Sequence, residues 1–286
     1  MDNVLPCNVE DRLQELLLDD EETNIGNDEL PVTFKDVQPG GKYVQKCCAF
    51  AQKVAIIIPY GDRKEQLDTV VRHLHRLLQS QHLCYGIYVS ELAYPTVFNK
   101  GLLMNVAYLT ARDEGHYDCY IFHDVDLISQ KERHLYICGE KPNHMSSFNT
   151  KFGGLPYIKY IGGVLALNDT HVRVVNGFSN LLFGWGGEDD VMEMRIADKH
   201  LGLTRVSADI GRYKALPHDR DKGNPVNNDR YKMYRTLRKH TDQDGLTSLA
   251  GLYELLKVER RPLYTWIYIK CNKTEVLQKN KNIVFG

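Results

Sequence analysis

The sequence predicts an α/β chain built on a mostly parallel sheet with flanking helices. Three observations point there. Residues 54–59 (VAIIIP) form a continuous apolar run rich in β-branched side chains, the composition of a strand buried on both faces of a parallel sheet. Two further strand-like runs follow at 85–90 and 119–122, and helical patterns separate the three. Such alternation implies right-handed βαβ crossovers, and in sheets of that kind ligands bind beyond the carboxyl ends of the strands.

The elements follow in chain order. Residues 10–29 hold nine acidic side chains against one arginine, so 1–47 is expected to be a solvated acidic arm with a short helix and a loop. After the strand at 54–59 and the polar turn Tyr60-Gly61-Asp62-Arg63, Leu67, Val70, Val71, Leu74, Leu77 and Leu78 recur at helical spacing. They mark one face of an amphipathic helix ending near Gln79. A second strand at 85–90 leads to a helix over 102–112. The third strand, 119–122, runs into His123-Asp124-Val125-Asp126-Leu127. The second half is rich in glycine, with helical patterns at 191–201 and 246–257 and a closing edge strand at 263–270. No repeat or Pro/Ser-rich linker divides it, so 48–286 reads as one continuous domain.

Composition narrows the function. Hydrophobic residues make up 43% and charged residues 26% of 286, which suits a folded globular domain and excludes extended disorder. Lys plus Arg number 36 against 37 for Asp plus Glu. No general field therefore draws the chain to nucleic acid, and an anionic ligand needs a local site. The longest apolar run is strand-sized, far short of the ~18 residues that span a bilayer, and no signal-peptide pattern opens the chain. Read literally, that is cytosolic. Seven cysteines and the sequons Asn168-Asp169-Thr170 and Asn272-Lys273-Thr274 lean instead toward a secretory lumen.

Three segments can carry chemistry. Asp124 and Asp126 stand two apart after a buried strand, where alternation would aim both to one side. Paired carboxylates suit Mg²⁺ or Mn²⁺ shared with substrate phosphates; an isolated D-x-D is more often a strand-end turn that caps nearby amides. Glu188-Asp189-Asp190 follows Gly184-Trp185-Gly186-Gly187. Three acids are ordinary in the first turn of a helix, but a preceding tryptophan among glycines suggests a mobile loop that stacks on a ligand beside a general base. His218, in PHDRDK, is either a surface histidine or the imidazole that completes a metal shell begun by Asp126. Phosphate-loop, dinucleotide, nucleophile-elbow and zinc-cysteine motifs are absent from the sequence.

Taken in order, the motifs VAIIIPYGDR, YGIYVSE, FNKGLLMNV, HDVDL, KFGGLPYIKYIGGVLAL, NGFSN, FGWGGEDD, HDRDK and DGLTSL resemble the animal β-1,4-galactosyltransferases. These are inverting glycosyltransferases of the GT-A fold, a Rossmann-like, mostly parallel sheet with flanking helices and a mobile Gly/Trp loop. The resemblance runs from about Cys48 to Lys270. It implies Mn²⁺, or another divalent metal, held by Asp126 and His218. A UDP-sugar donor would meet Pro59, Arg63, Phe98, Lys100, Asp124, Val125, Lys151, Tyr160 and Trp185. Asp189 would be the catalytic base with Glu188 beside it, and a GlcNAc-terminated glycan would meet Trp185, Gly187, Glu188, Asp189, Asp190, Arg230 and Tyr231.

By the same resemblance, the aromatic Tyr160 implies UDP-galactose over UDP-GalNAc. Departures from the family pattern are Ala215 for a methionine ligand, Gly61 for an arginine, Lys100 for an arginine, Leu102 for a lysine, and Tyr234 for an aliphatic residue beside the N-acetyl pocket. The implied disulfides are Cys7–Cys48 and Cys119–Cys138, which leaves Cys47, Cys84 and Cys271 unassigned. The resemblance also implies the lumenal part of a type II Golgi protein whose membrane anchor is not in this sequence. The expected activity is metal-dependent, inverting transfer of galactose to the 4-hydroxyl of terminal GlcNAc. Its rivals are the same fold using UDP-GalNAc or UDP-GlcNAc, a carbohydrate-binding protein that has lost catalysis, and a metal-dependent phosphodiesterase.

Overall fold

The computed structural model describes residues 34, 36–44, 52–219 and 223–284. Its centre is β2 (Lys53–Tyr60), whose Val54 to Ile58 side chains are all fully buried. Strand β2 lies between β3 (Cys84–Leu92) and β4 (Cys119–His123), and both pairings are parallel. Even-numbered side chains of β2 meet helix α1 (Lys64–Ser80) through Leu67, Val70, Val71, Leu74, Leu77 and Leu78. Odd-numbered ones, Ala55 and Ile57, face the opposite layer, where helix α2 (Lys100–Glu114) packs Leu103, Val106, Ala107 and Ala111. A strand covered on both sides has no use for polar residues, which explains its unbroken apolar run.

The sheet extends both ways from that centre. Beyond β3 come β12 (Thr265–Lys270), parallel to it, and then β11 (Glu254–Arg260), antiparallel to β12. Beyond β4 come β8 (Val164–Asn168), antiparallel to it, then β6 (Asn143–His144) and β9 (Thr204–Arg205). Short β1 (Lys42–Tyr43) pairs with β3 at Gly86 and Tyr85. The result is a mixed sheet with four parallel strands at its middle, in agreement with the predicted fold class. A second, three-stranded sheet joins β5 (Leu127–Ser129), β10 (Arg212–Ala215) and β7 (Phe148–Asn149). Among the described residues no helix is long and apolar enough to cross a membrane.

Several expectations need correction. Residues 246–257 are not a helix: a 3₁₀ turn at Leu246–Ser248 gives way to β11. Gly251 sits at φ +75, and Leu255, Leu256 and Val258 are exposed, so their spacing reflects no buried helical face. The strand near 263–270 is not an edge, because β11 covers it, and it leads on to α6 (Lys273–Lys279) and α7 (Lys281–Val284). The helix expected at 191–201 begins earlier, as α4 (Glu188–Asp198), so the three acids form its first turn. Helices α3 (Asp169–Val174) and α5 (Arg230–Lys239) are the others among the described residues. Cys119 and Cys138 are joined as expected. Cys84 is disulfide-bonded as well, while Cys271 is a buried free thiol. The expected arm helix and the Cys7–Cys48 pairing lie outside the described residues.

Helix α4 is fixed from below by a buried ion pair. Arg195 Nη2 lies 3.0 Å from Asp244 Oδ2, both side chains being fully excluded from solvent. Arg195 also donates to the Gly177 carbonyl at 2.8 Å, and Asp244 accepts from the Asn180 amide at 2.8 Å. Burial pushes the Asp244 carboxyl up and the Arg195 guanidinium down, each opposed by its partner's charge. Removing one partner strands the other's charge, which typically costs about 3–5 kcal/mol. Arg195→Met and Asp244→Leu should each lose that much in chemical denaturation, and the double variant should lose clearly less than their sum.

Candidate active site

The carboxyl ends of β2 and β4 open onto one cavity of about 290 Å³, and the residues singled out from sequence converge there. Pro59 and Arg63 come from the end of β2 and the turn after it, and Phe98 and Lys100 from the start of α2. Asp124, Val125 and Asp126 come from the β4–β5 connection, and Lys151 and Tyr160 from the segment between β7 and β8. Trp185, Gly187, Glu188, Asp189 and Asp190 come from the glycine loop and the first turn of α4, His218 from beyond β10, and Arg230 and Tyr231 from α5. Asp124 and Asp126 reach the cavity from a turn, not by strand alternation, because β4 ends at His123.

Two charge clusters define the cavity. In the first, the Lys100 ammonium lies 2.9 Å from Asp124 Oδ1, 3.2 Å from Asp189 Oδ1 and 3.4 Å from Glu188 Oε1. Burial works against the Lys100 charge, yet the three carboxylates hold its pKa well above the ordinary lysine value. Burial raises the Asp189 carboxyl to about 7, with Glu188 and Asp124 adding to the rise and Lys100 opposing it. Gly162 lies against this group: a Cβ there would come within 2.3 Å of Asp189 Oδ2.

In the second cluster, Asp126 Oδ2 faces His218 Nε2 at 2.8 Å, with Arg63 Nη1 at 3.5 Å. His218 Nδ1 donates to the Asp219 carbonyl at 2.8 Å. In the neutral imidazole Nε2 then carries a lone pair, so two acceptors oppose each other unless a proton or cation lies between them. One carboxylate and one imidazole suit Mn²⁺ or Mg²⁺, which commonly complete their shells with phosphate oxygens and water. Among the described residues no group of three or more His, Cys, Asp or Glu could hold a metal alone. Ala215 lines the cavity without a side-chain donor.

The strands explain how residues so distant in sequence meet. Ala215 of β10 pairs with Leu127 of β5, and the Leu216 amide donates to the Asp126 carbonyl at 2.7 Å. On the opposite wall Gly184 donates to the Phe98 carbonyl, and Trp185 donates to the Pro225 carbonyl, both at 2.8 Å. Gly184 has φ +87, and a Cβ would meet the Pro225 oxygen at 2.4 Å, so only glycine fits. The Trp185 ring is half exposed, with the Arg230 guanidinium 5.6 Å from its centre.

Sequence reasoning missed Tyr157. Its hydroxyl donates to Asp190 Oδ1 at 2.6 Å, while Tyr234 donates to Oδ2 at 2.5 Å. Two phenols thus clamp one carboxylate at the mouth of the cavity. Tyr157 lies three residues before Tyr160 in LPYIKY, and that spacing was the signal available. Asn224 also lines the cavity, its buried Oδ1 without a hydrogen-bond partner.

Comparison with known proteins identifies the family. Residues 14–139 match the family described as the N-terminal region of glycosyl transferase group 7, and residues 143–219 match the N-terminal domain of galactosyltransferase. β-1,4-Galactosyltransferase 4 of Cricetulus griseus is 42% identical over 245 residues, covering 83% of this chain and 71% of that protein. β-1,4-Galactosyltransferase 1 of Homo sapiens is 41% identical over 235 residues, covering 82% of this chain and 58% of that protein. Among solved structures, a mutant of Drosophila β-1,4-galactosyltransferase 7 in complex with manganese, UDP-Gal and xylobiose superposes with a TM-score of 0.67. It is 27% identical, over 82% of this chain and 100% of that one. With its two family matches, these relatives and this fold, the chain belongs to the β-1,4-galactosyltransferase family of GT-A glycosyltransferases.

Proposed function

We propose that the protein transfers galactose from UDP-galactose to the 4-hydroxyl of a terminal GlcNAc on a glycoconjugate, inverting the anomeric centre, with residues 48–286 as the catalytic domain. The observation that carries this reading is the meeting, in one cavity, of the Asp126–His218 pair with an Asp189 carboxyl poised near neutrality. The Drosophila relative, crystallised with manganese, UDP-Gal and a sugar acceptor, supports the same ligand classes here. Family membership supports a Golgi lumenal setting.

In this reading Asp126 and His218 hold a divalent cation, Mn²⁺ or Mg²⁺, which supplies Lewis-acid stabilisation of the UDP leaving group. Lys151 and Arg63 bring positive charge to the diphosphate, and Pro59, Phe98 and Val125 wall the nucleotide. Asp124 and Lys100 contact the sugar and Tyr160 limits its size. The Asp189 carboxylate takes the proton from the acceptor hydroxyl as its oxygen attacks the anomeric carbon on the face opposite the departing phosphate. Glu188, Asp190, Gly187, Arg230 and Tyr231 hold the acceptor, and closure of the loop at Trp185 excludes water. With only a methyl group at Ala215, cation affinity rests on Asp126, His218 and the donor phosphates.

The decisive experiment is transfer from each of UDP-galactose, UDP-GalNAc and UDP-GlcNAc to GlcNAc with and without Mn²⁺, the product linkage being read by NMR. A β-1,4 galactoside formed only with metal is expected. Glycan binding in calorimetry with no metal-dependent UDP release would instead mark a carbohydrate-binding protein. Asp189→Asn should lower kcat by about 10²–10⁴-fold, the usual contribution of a general base, with the melting temperature unchanged.

The pH dependence follows from the raised Asp189 pKa. The basic form fills as pH rises through about 7, so acceptor kcat/KM should climb about tenfold per pH unit below that point and level off above it. Lys100→Met removes the ammonium that opposes the rise, and the break should move to higher pH. A pH–rate profile for the two proteins checks both statements.

A further inference from the structure

Behind the Asp126–His218 pair lies a run of buried polar side chains that no catalytic step uses. The Tyr213 hydroxyl donates to the Tyr136 hydroxyl at 3.0 Å, and Tyr136 lies 3.3 Å from His123 Nε2. His123 Nδ1 donates to the Asp124 carbonyl at 2.8 Å. All three side chains are fully buried. A carbonyl can only accept, so His123 carries its proton on Nδ1 and presents Nε2 to Tyr136 as an acceptor. Burial lowers its pKa to about 4, which keeps the ring neutral and this direction of donation intact at working pH.

The two ends of the run are informative. His123 is the last residue of β4 and grips the first peptide of the turn that carries Asp126. Tyr213 lies in β10, the strand that delivers the chain to His218. The Leu216 amide and the Asp126 carbonyl join the same two segments, so backbone and side-chain bonds both tie the segment of Asp126 to that of His218. Tyr136 is itself held: its amide donates to Gln81 Oε1 at 3.0 Å, and Gln81 Nε2 donates to the carbonyls of Glu132 and His134. Buried hydroxyls and imidazoles cost free energy unless paired, and apolar rings of like volume would fill this layer without that demand. What the polar run adds is a single relative position for β4 and β10.

We propose that Tyr213, Tyr136 and His123 are positioning residues that hold Asp126 opposite His218 and thereby set the affinity of the pair for a divalent cation. The inference rests on the metal reading given above. Tyr136→Phe cuts both side-chain links and Tyr213→Phe cuts one, each at nearly constant volume.

The test is a titration of Mn²⁺ in the presence of UDP, with free Mn²⁺ read by electron paramagnetic resonance and no turnover, on the whole chain. For Tyr136→Phe the Mn²⁺ Kd should rise about tenfold, the low end for loss of a partner that orients a metal ligand. Tyr213→Phe should raise it less, and kcat at saturating Mn²⁺ should stay within about twofold for both. A lowered melting temperature with Mn²⁺ Kd unchanged in both variants would overturn the proposal and leave these bonds as ordinary core pairing. Wild-type protein that binds no Mn²⁺ with UDP, while Asp126→Ala behaves identically, would overturn the metal reading and this inference with it.

Discussion

The site is organised around one buried ammonium. Lys100 opens α2, Asp124 follows the end of β4, and Glu188 and Asp189 open α4, so a single charge ties three segments from both halves of the chain. Three carboxylates confined beside one another would repel strongly in a site of lowered dielectric. Lys100 makes the cluster tolerable, but burial, with Glu188 and Asp124 adding to it, still raises the Asp189 carboxyl against the pull of the ammonium. Reactivity and assembly are therefore two sides of the same contact: the group that allows the acids to gather also limits how far Asp189 is driven from its ordinary pKa.

Rigidity is supplied elsewhere. Arg195 and Asp244 anchor α4 to the loop at 176–180, and β5 with β10 anchors the Asp126 and His218 segments to each other. The ion pair lies away from the cavity, whereas Leu127 and Ala215 of the strand pair line it. The glycine loop leaves Trp185 half exposed and is held through backbone bonds of Trp185 to Pro225 and Asn227. A site that must exclude water needs one wall to move and the rest to stay fixed; here the fixed walls are strand ends and a helix start, and the loop between Phe183 and Glu188 is the remaining wall.

Much of this was legible in the sequence, for identifiable reasons. Residues 54–58 are buried on both faces, so composition alone marks the strand, and α1 buries a single face, so its period is clear. Ordered motifs carried the family, and with it the cavity residues. What failed was local pattern without burial behind it. Leu255, Leu256 and Val258 look helical in spacing but lie on the exposed flank of β11. The pairing of Cys84 had no local signal, and the clamp of Tyr157 and Tyr234 on Asp190 joins residues 33 and 44 positions from that carboxylate. Contacts of that range depend on topology, which periodicity does not encode.

The near-zero net charge gains a local meaning from the cavity. Its walls hold Asp124, Asp126, Glu188, Asp189 and Asp190 against Arg63, Lys100, Lys151 and Arg230, so the site is close to balanced, like the chain as a whole. A nucleoside diphosphate entering alone would bring two negative charges toward Asp124 and Asp126. The same ligand accompanied by a divalent cation brings none in sum. On the proposed function, the cation then aids donor binding before any effect on the leaving group, because Arg63, Lys100 and Lys151 do not outweigh Asp124, Asp126 and a diphosphate. With no side-chain donor at Ala215, the same reading has cation and donor completing each other's binding at the Asp126–His218 pair.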